Sequence, residues 1–209
     1  MSGLIARLRA PLEQRADFAD VLADGWQTAT AEEIATRPVY VDGAGAVPLG
    51  ELFALSGGGD GTIRFVGDLR LADRVGAGLR SGEVVIEGDV GQEVGARMRR
   101  GLIAVTGNAG ARAGLGVIAG SVVVLGSVGA EPGLWSKRGS IIALGAVTPL
   151  PTYRYACSYR PAYLRLMLTR LRRRFELPVE TRHIAGLYDR FSGDFAELGR
   201  GEILAWRAE

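Results

Sequence analysis

Few residues in this 209-residue chain could do chemistry, and they are scattered. Glycine is dense in "GDVGQEVGARMRRGLIAVTGNAG", residues 88–110. Such a run can bind phosphate through bare backbone amides. The segments "GAGLRSG" (76–82) and "GLGVIAG" (114–120) echo a dinucleotide fingerprint, but their spacing is not G-x-G-x-x-G. No helix start follows them, and no G-x-x-x-x-G-K-[ST] occurs. His183 is the single histidine and Cys157, in "YRYACSYRP", the single cysteine. One cysteine excludes an internal disulfide, and structural or catalytic zinc and iron–sulfur sites need several Cys or His ligands. No H-x-x-E or D-x-D cluster offers a carboxylate-rich substitute. No catalytic residue and no metal ligand is therefore expected in this chain. His183 is expected to be a hydrogen-bonded structural or surface histidine, and Cys157 a buried or idle thiol.

The remaining candidates are arginines. Formal net charge is +2, which gives little drive toward nucleic acid, and Lys137 is the only lysine. That bias reads as codon usage in a GC-rich genome. The segment "RPAYLRLMLTRLRRRFE" (160–176) places Leu164, Met167, Leu168, Leu171 and Phe175 on one helical face and Arg165, Arg170, Arg172, Arg173 and Arg174 on the other. Such a basic face is ordinarily solvated. The sharper reading is that Arg170, Arg172 and Arg173 contact an anionic carrier or a partner protein.

The elements that must position these residues come from a repeat. Gly82, Gly101, Gly120 and Gly139 are spaced by 19 residues, as are Gly88, Gly107, Gly126 and Gly145. Gly91/Gly110/Gly129 and Gly95/Gly114/Gly133 add two further columns. A looser copy with two extra residues occupies 61–81. Each unit opens with an alternating β-branched segment, Val84/Ile86, Ile103/Val105, Val122/Val124 and Ile141/Ala143, which predicts a strand with one buried face. Glycine and Asp, Asn or Ser follow, so each strand ends in a turn. One strand plus turns cannot bury its own apolar face, whereas stacked copies can.

The expected fold is therefore all-β, a right-handed parallel β-helix with 19-residue coils, a small N-terminal cap and a C-terminal amphipathic helix. The 19-residue period does not suit the 18-residue hexapeptide coils of left-handed β-helix enzymes, and a three-histidine zinc site is not available. Burying the seven inward Val/Ile side chains would contribute on the order of 10–20 kcal/mol before entropy. Glycines at corners supply φ > 0 or an absent Cβ, and Asp89 and Asn108 occupy matching corners. The outward positions grow apolar along the stack, from Glu83, Val85 and Glu87 to Ser140, Ile142 and Leu144. They need a cover, either the 160–176 helix or a partner.

Residues 1–57 read as an N-terminal capping segment, with a capping box at Thr30/Glu33 and a short helix ending before Pro38. Residues 58–150 hold the β-helix repeats. Residues 151–209 hold the helix and a terminal strand, Glu202–Trp206, packing on the repeats. No apolar run of about 18 residues occurs, and the N-terminus lacks a secretory h-region, so a cytoplasmic location is expected.

The glycine units, with "LGELFALSG" (49–57) before them and "GDFAELGRGEIL" (193–204) after them, resemble the C subunit of formylmethanofuran dehydrogenase and of the bacterial formyltransferase/hydrolase complex. The GDVG/GNAG/GSVG pattern is also similar to the GxGxG domain that ends the glutamate synthase large subunit. The resemblance covers roughly residues 11–206. It implies a β-helical scaffold without catalytic residues, in a hetero-oligomer with an amidohydrolase-like A subunit, a B subunit and a formyltransferase D subunit. That complex converts formyl-tetrahydromethanopterin to formate through a formylated methanofuran-like carrier. It implies no cofactor bound by this chain, zinc in a partner subunit, and no nucleic-acid or membrane partner. Two alternatives stay open: the C subunit of a molybdenum- or tungsten-dependent formylmethanofuran dehydrogenase, and a stand-alone glutamate-synthase-like GxGxG module.

Overall fold

A computed structural model describes residues 3–22 and 25–208. The chain is mostly β with few helices. In order it forms β1 (Leu4–Leu8), β2 (Ala16–Asp17), a 3-10 turn (Trp26–Thr28), α1 (Ala31–Ala35), β3 (Pro38–Val41), β4 (Gly45–Pro48), α2 (Leu49–Leu52) and β5 (Phe53–Ser56). The repeat region follows with β6 (Thr62–Val66), β7 (Ala72–Asp73), β8 (Glu83–Glu87), β9 (Leu102–Val105), β10 (Ser121–Val124) and β11 (Ser140–Ala143). The chain ends with β12 (Arg154–Tyr159), α3 (Ala162–Arg174), α4 (Thr181–Ile184), β13 (Leu187–Gly193) and β14 (Gly201–Arg207).

A ten-stranded mixed sheet runs β12-β13-β14-β11-β10-β9-β8-β6-β1-β5. From β14 to β1 every neighbouring pair is parallel. Val84, Ile103, Val122 and Ile141 stand in one row, and Ile86, Val105, Val124 and Ala143 in another. All are buried. Parallel pairing without an interposed helix requires the chain to return to its start in one short circuit, and two further lines of contact show the return path. Leu69, Val90, Ala109 and Val128 bridge in sequence. Turns at 74–79, 93–98 and 112–117 stack through amide bonds such as Glu93 to the Ala111 carbonyl and Arg112 to the Ala130 carbonyl. Their apolar residues Val75, Val94, Ala113, Leu79, Met98 and Val117 join the strand rows in one core.

The glycine columns do two different jobs. Gly95, Gly114 and Gly133 sit at φ near +69, +69 and +68, a left-handed turn that L-residues disfavour. Gly126 lies where the coils touch, and a Cβ there would meet the Gly107 carbonyl oxygen at 2.6 Å. The corner residues do more than tolerate a turn. Asp89 Oδ1 accepts from the Asn108 amide at 2.6 Å, and Asn108 Oδ1 accepts from the Ser127 amide at 2.8 Å. These side chains are rungs between successive repeats.

The sheet's two ends are closed differently. At the first, β1 joins the sheet directly, parallel to β6 and antiparallel to β5. Phe18, Phe53 and Phe65 pack edge to face beneath it, with centroids 5.6–6.3 Å apart. The Thr30/Glu33 capping box is formed, with Glu33 N donating to Thr30 Oγ1 at 3.2 Å. At the other end β14 continues the parallel rows, and β13 and β12 fold back antiparallel to form the final edge. β12 has no counterpart in the sequence reading: its residues do not alternate, and its first four are exposed.

The apolar outer face is covered by this chain itself. Val85, Ala104, Val123, Ile142 and Leu204 pack under Leu164, Leu168 and Leu171 of α3, with Phe175 and Leu177 following. That face is therefore not free for a partner.

Candidate functional site

The glycine run holds no phosphate cradle. A bound anion needs unengaged amides, and here they are spent between coils. Gly107 donates to the Gly88 carbonyl, Gly126 to that of Gly107, and Gly110 to that of Val90. The strand starts are spent likewise, with Leu102 donating to Gly82 and Ser121 to Gly101.

A concavity lies where α3 overhangs the N-terminal ends of β6, β8, β9 and β10. It encloses about 740 Å³ between Thr62, Glu83, Ser121, Met167, Arg170 and Arg174. Arg170 and Arg174 both reach Glu83, at 2.7 and 2.8 Å, and Arg174 also approaches Asp60 at 4.0 Å. The acid pair offsets the two guanidinium charges, so the cleft offers no net field to an anion. Its hydroxyls at Thr62, Ser81 and Ser121 can hydrogen-bond a polar ligand, but no histidine or cysteine lines it.

The three arginines singled out in the sequence do not converge. Arg170 faces the cleft. Arg172, about 200° further around the helix, donates to Thr181 Oγ1 at 3.2 Å. Arg173 is exposed. A helix cannot aim residues i, i+2 and i+3 at one ligand.

His183 is buried, at 8% exposure. Its Nδ1 accepts from the Glu180 amide at 3.3 Å, and its ring stacks edge to face on Trp206 at 4.7 Å. Burial lowers its pKa below the usual imidazole value, with Glu180 opposing the shift. These contacts give it a structural part. Cys157 is exposed rather than buried, because β12 is the sheet's edge and its first four residues face outward.

Two features escaped the sequence reading. The first is Asp194, fully buried within the 193–204 segment. Its Oδ2 accepts from the Trp135 amide at 3.0 Å and its Oδ1 from the Ala196 amide at 2.9 Å. Beside it, Tyr153 donates to the Gly133 carbonyl at 2.9 Å. Burial, helped by the Asp194 charge, pushes the Tyr153 phenol up to about 12. These groups tie the last glycine unit to the chain's return. The second is a column of left-handed non-glycine residues, Arg74, Glu93, Arg112 and Glu131. Their charges alternate, and Arg112 lies 2.9 Å from Glu93 and 3.8 Å from Glu131. That alternation at the repeat spacing is visible in the sequence once the columns are aligned.

No family model matches the chain, and no curated protein matches it. Among solved structures it is similar to a chain in the crystal structure of the formyltransferase/hydrolase complex from Methylorubrum extorquens in complex with methylofuran. The identity is 24%, over 98% of this chain and 100% of that chain, with a TM-score of 0.45. At that identity and TM-score the likeness does not define a family for this chain.

Proposed function

We propose that this chain is the scaffolding C subunit of a formyltransferase/hydrolase complex. The complex would pass a formyl group from a tetrahydromethanopterin carrier through a methanofuran-like carrier to formate. One observation carries the reading. The glycine repeat and the two segments that resemble the family form one continuous ladder. The 49–57 segment supplies β5 at one end, and the 193–204 segment supplies Asp194 and β14 at the other. The same reading takes the stack as a right-handed β-helix, in line with the near-universal hand of parallel crossovers. It treats residues 1–57 as a cap, 58–150 as the coils and 151–209 as their cover. The jobs found for His183, Asp194 and the glycine amides support a structural part for this chain. The formyl-transfer and zinc-dependent hydrolysis steps then belong to partner proteins.

Purifying the chain under its native promoter, with a terminal tag, tests this. The expected product is a hetero-oligomer containing formyltransferase and amidohydrolase-like subunits, with zinc and formyl-transfer activity. Molybdenum or tungsten with iron–sulfur clusters would point instead to the dehydrogenase form. A glutaminase-domain partner would point to the glutamate-synthase-like module. Recovery of the chain alone, as a monomer, would falsify the scaffold reading.

A further inference from the structure

We infer that the β12 end of the molecule is a docking site for an extended, acidic segment of a partner protein, which adds to the sheet as a further strand. The inference rests on the scaffold reading and names the contact it leaves open.

Three observations converge there. β12 is the sheet's last strand, paired with β13 on one side and with no strand on the other among the described residues. An open strand edge presents a row of backbone donors and acceptors, which an extended chain matches.

Beside it the molecule exposes large apolar side chains. Trp135 is 54% exposed, Tyr155 58%, Phe195 55% and Leu198 56%. Three contacts link β12 and the 193–200 segment to their surroundings. The Trp135 amide and the residue before Phe195 share the Asp194 contact. Arg154, the first residue of β12, lies over the Phe195 ring at 5.4 Å. Tyr155 packs edge to face on Phe191 at 5.9 Å. Trp135 is the telling member. Its column across the coils reads Gly78, Arg97, Gly116, Trp135, all left-handed, with φ of 66, 55, 59 and 60. Glycine suits this position and an indole does not. Trp135 is the bulky apolar member of this column, held in a disfavoured backbone conformation and 54% exposed. Strain of that kind marks functional surfaces, and tryptophan is a common interface anchor.

The rim sets the partner's charge. Lys137, Arg138, Arg154 and Arg200 are exposed and lie within three residues of these side chains along the chain. Among the described residues none of the four has an ion pair, and Glu197 is the nearest exposed acid in sequence. Four unneutralised cations favour an acidic occupant. They disfavour a second copy of this chain, which would bring the same four cations to the contact. The open backbone edge favours a polypeptide over a nucleic acid.

The test uses the tagged native assembly and the isolated chain. Amide hydrogen exchange across 154–159 should slow at least tenfold in the assembly. A photo-crosslinker placed on the exposed Cys157 should capture a partner peptide of net negative charge. Trp135→Gly should keep or raise Tm and reduce partner recovery at least tenfold. Arg154→Glu, which reverses the charge at the edge and removes the contact over Phe195, should reduce it in the same direction, with the isolated chain's Tm measured beside it. Unprotected β12 amides in an intact assembly would overturn the inference and leave the scaffold reading standing. A monomer without partners would overturn both. A lower Tm for Trp135→Gly would make the indole structural and overturn its docking role. Protection of the β12 amides not bonded to β13 that rises with concentration of the isolated chain would identify a second copy as occupant and overturn the inference, and capture of a neutral or basic peptide would reject the charge argument. Specific binding of a single-stranded oligonucleotide by the isolated chain would also sink the proposal.

Discussion

Asp194 shows how one side chain can decide an interface between segments far apart in sequence. Its two oxygens satisfy the Trp135 and Ala196 amides in a fully buried setting. Asp194→Ala leaves both donors without a partner and should cost about 2–4 kcal/mol, read as a lower urea midpoint at constant m-value. Tyr153 gives a prediction with a defined pH window. Its folded pKa is raised to about 12, above an unfolded value of about 10. The folded state therefore holds the proton more tightly. The linked stability is fully present below about pH 10 and is lost as pH rises toward 12. Tyr188, whose phenol donates to the His183 carbonyl, is shifted upward by burial as well. Stability should fall between pH 10 and 12 in a denaturant titration. Tyr153→Phe should flatten part of that fall while lowering neutral stability by about 1 kcal/mol. His183 acts at the other end of the scale. Its pKa is lowered by burial, so its contribution is present above about pH 6.5 and declines as pH falls below it.

Among the elements, α3 packs its apolar face on the outer face of the sheet. Its periodicity was legible, because Leu164, Leu168 and Leu171 recur at helical spacing. The sequence left α3 and a partner as alternative covers for the apolar outer face, because a helical stripe and an apolar sheet face carry no address for each other. In the fold they meet, and the outer positions Val85, Ala104, Val123 and Ile142 lie beneath them. Leu168→Ala should lower stability by about 2–4 kcal/mol and expose part of this face, seen as increased binding of a hydrophobic dye. β12 was illegible for the opposite reason. "RYACSY" lacks alternation and gains strand conformation only because β13 offers it an edge. Its exposure follows from that position and puts Cys157 in solvent, which removes the buried alternative of the two expected from sequence.

At the scale of the whole molecule, the unit of construction is one 19-residue repeat. Excising residues 101–119 removes one 19-residue repeat and leaves the strand rows, glycine columns and amide ladders in register. The shortened chain should still unfold cooperatively, with a lower midpoint, since stability in stacked repeats sums over coils and their interfaces. It would bring Glu93 against Glu131 in place of Arg112, so its midpoint should rise with salt more than that of the intact chain. Excising 101–110 breaks every column and should abolish cooperative unfolding, as read by circular dichroism.

The sequence by itself determined the repeat, the strand in each unit, the residues that face inward, the glycine columns and the amphipathic helix. All of these depend on local periodicity or on identity at a fixed interval, and both are written along the chain. Tertiary structure decided which segments meet. It put β1 beside β6, set α3 over the outer face, paired Arg170 with Glu83, and buried Asp194 against the Trp135 amide. It also left β12 as an open edge beside exposed aromatic rings. Each of these joins residues distant in sequence, and the free energy that selects such a contact comes from burial and pairing that exist only after the chain has folded.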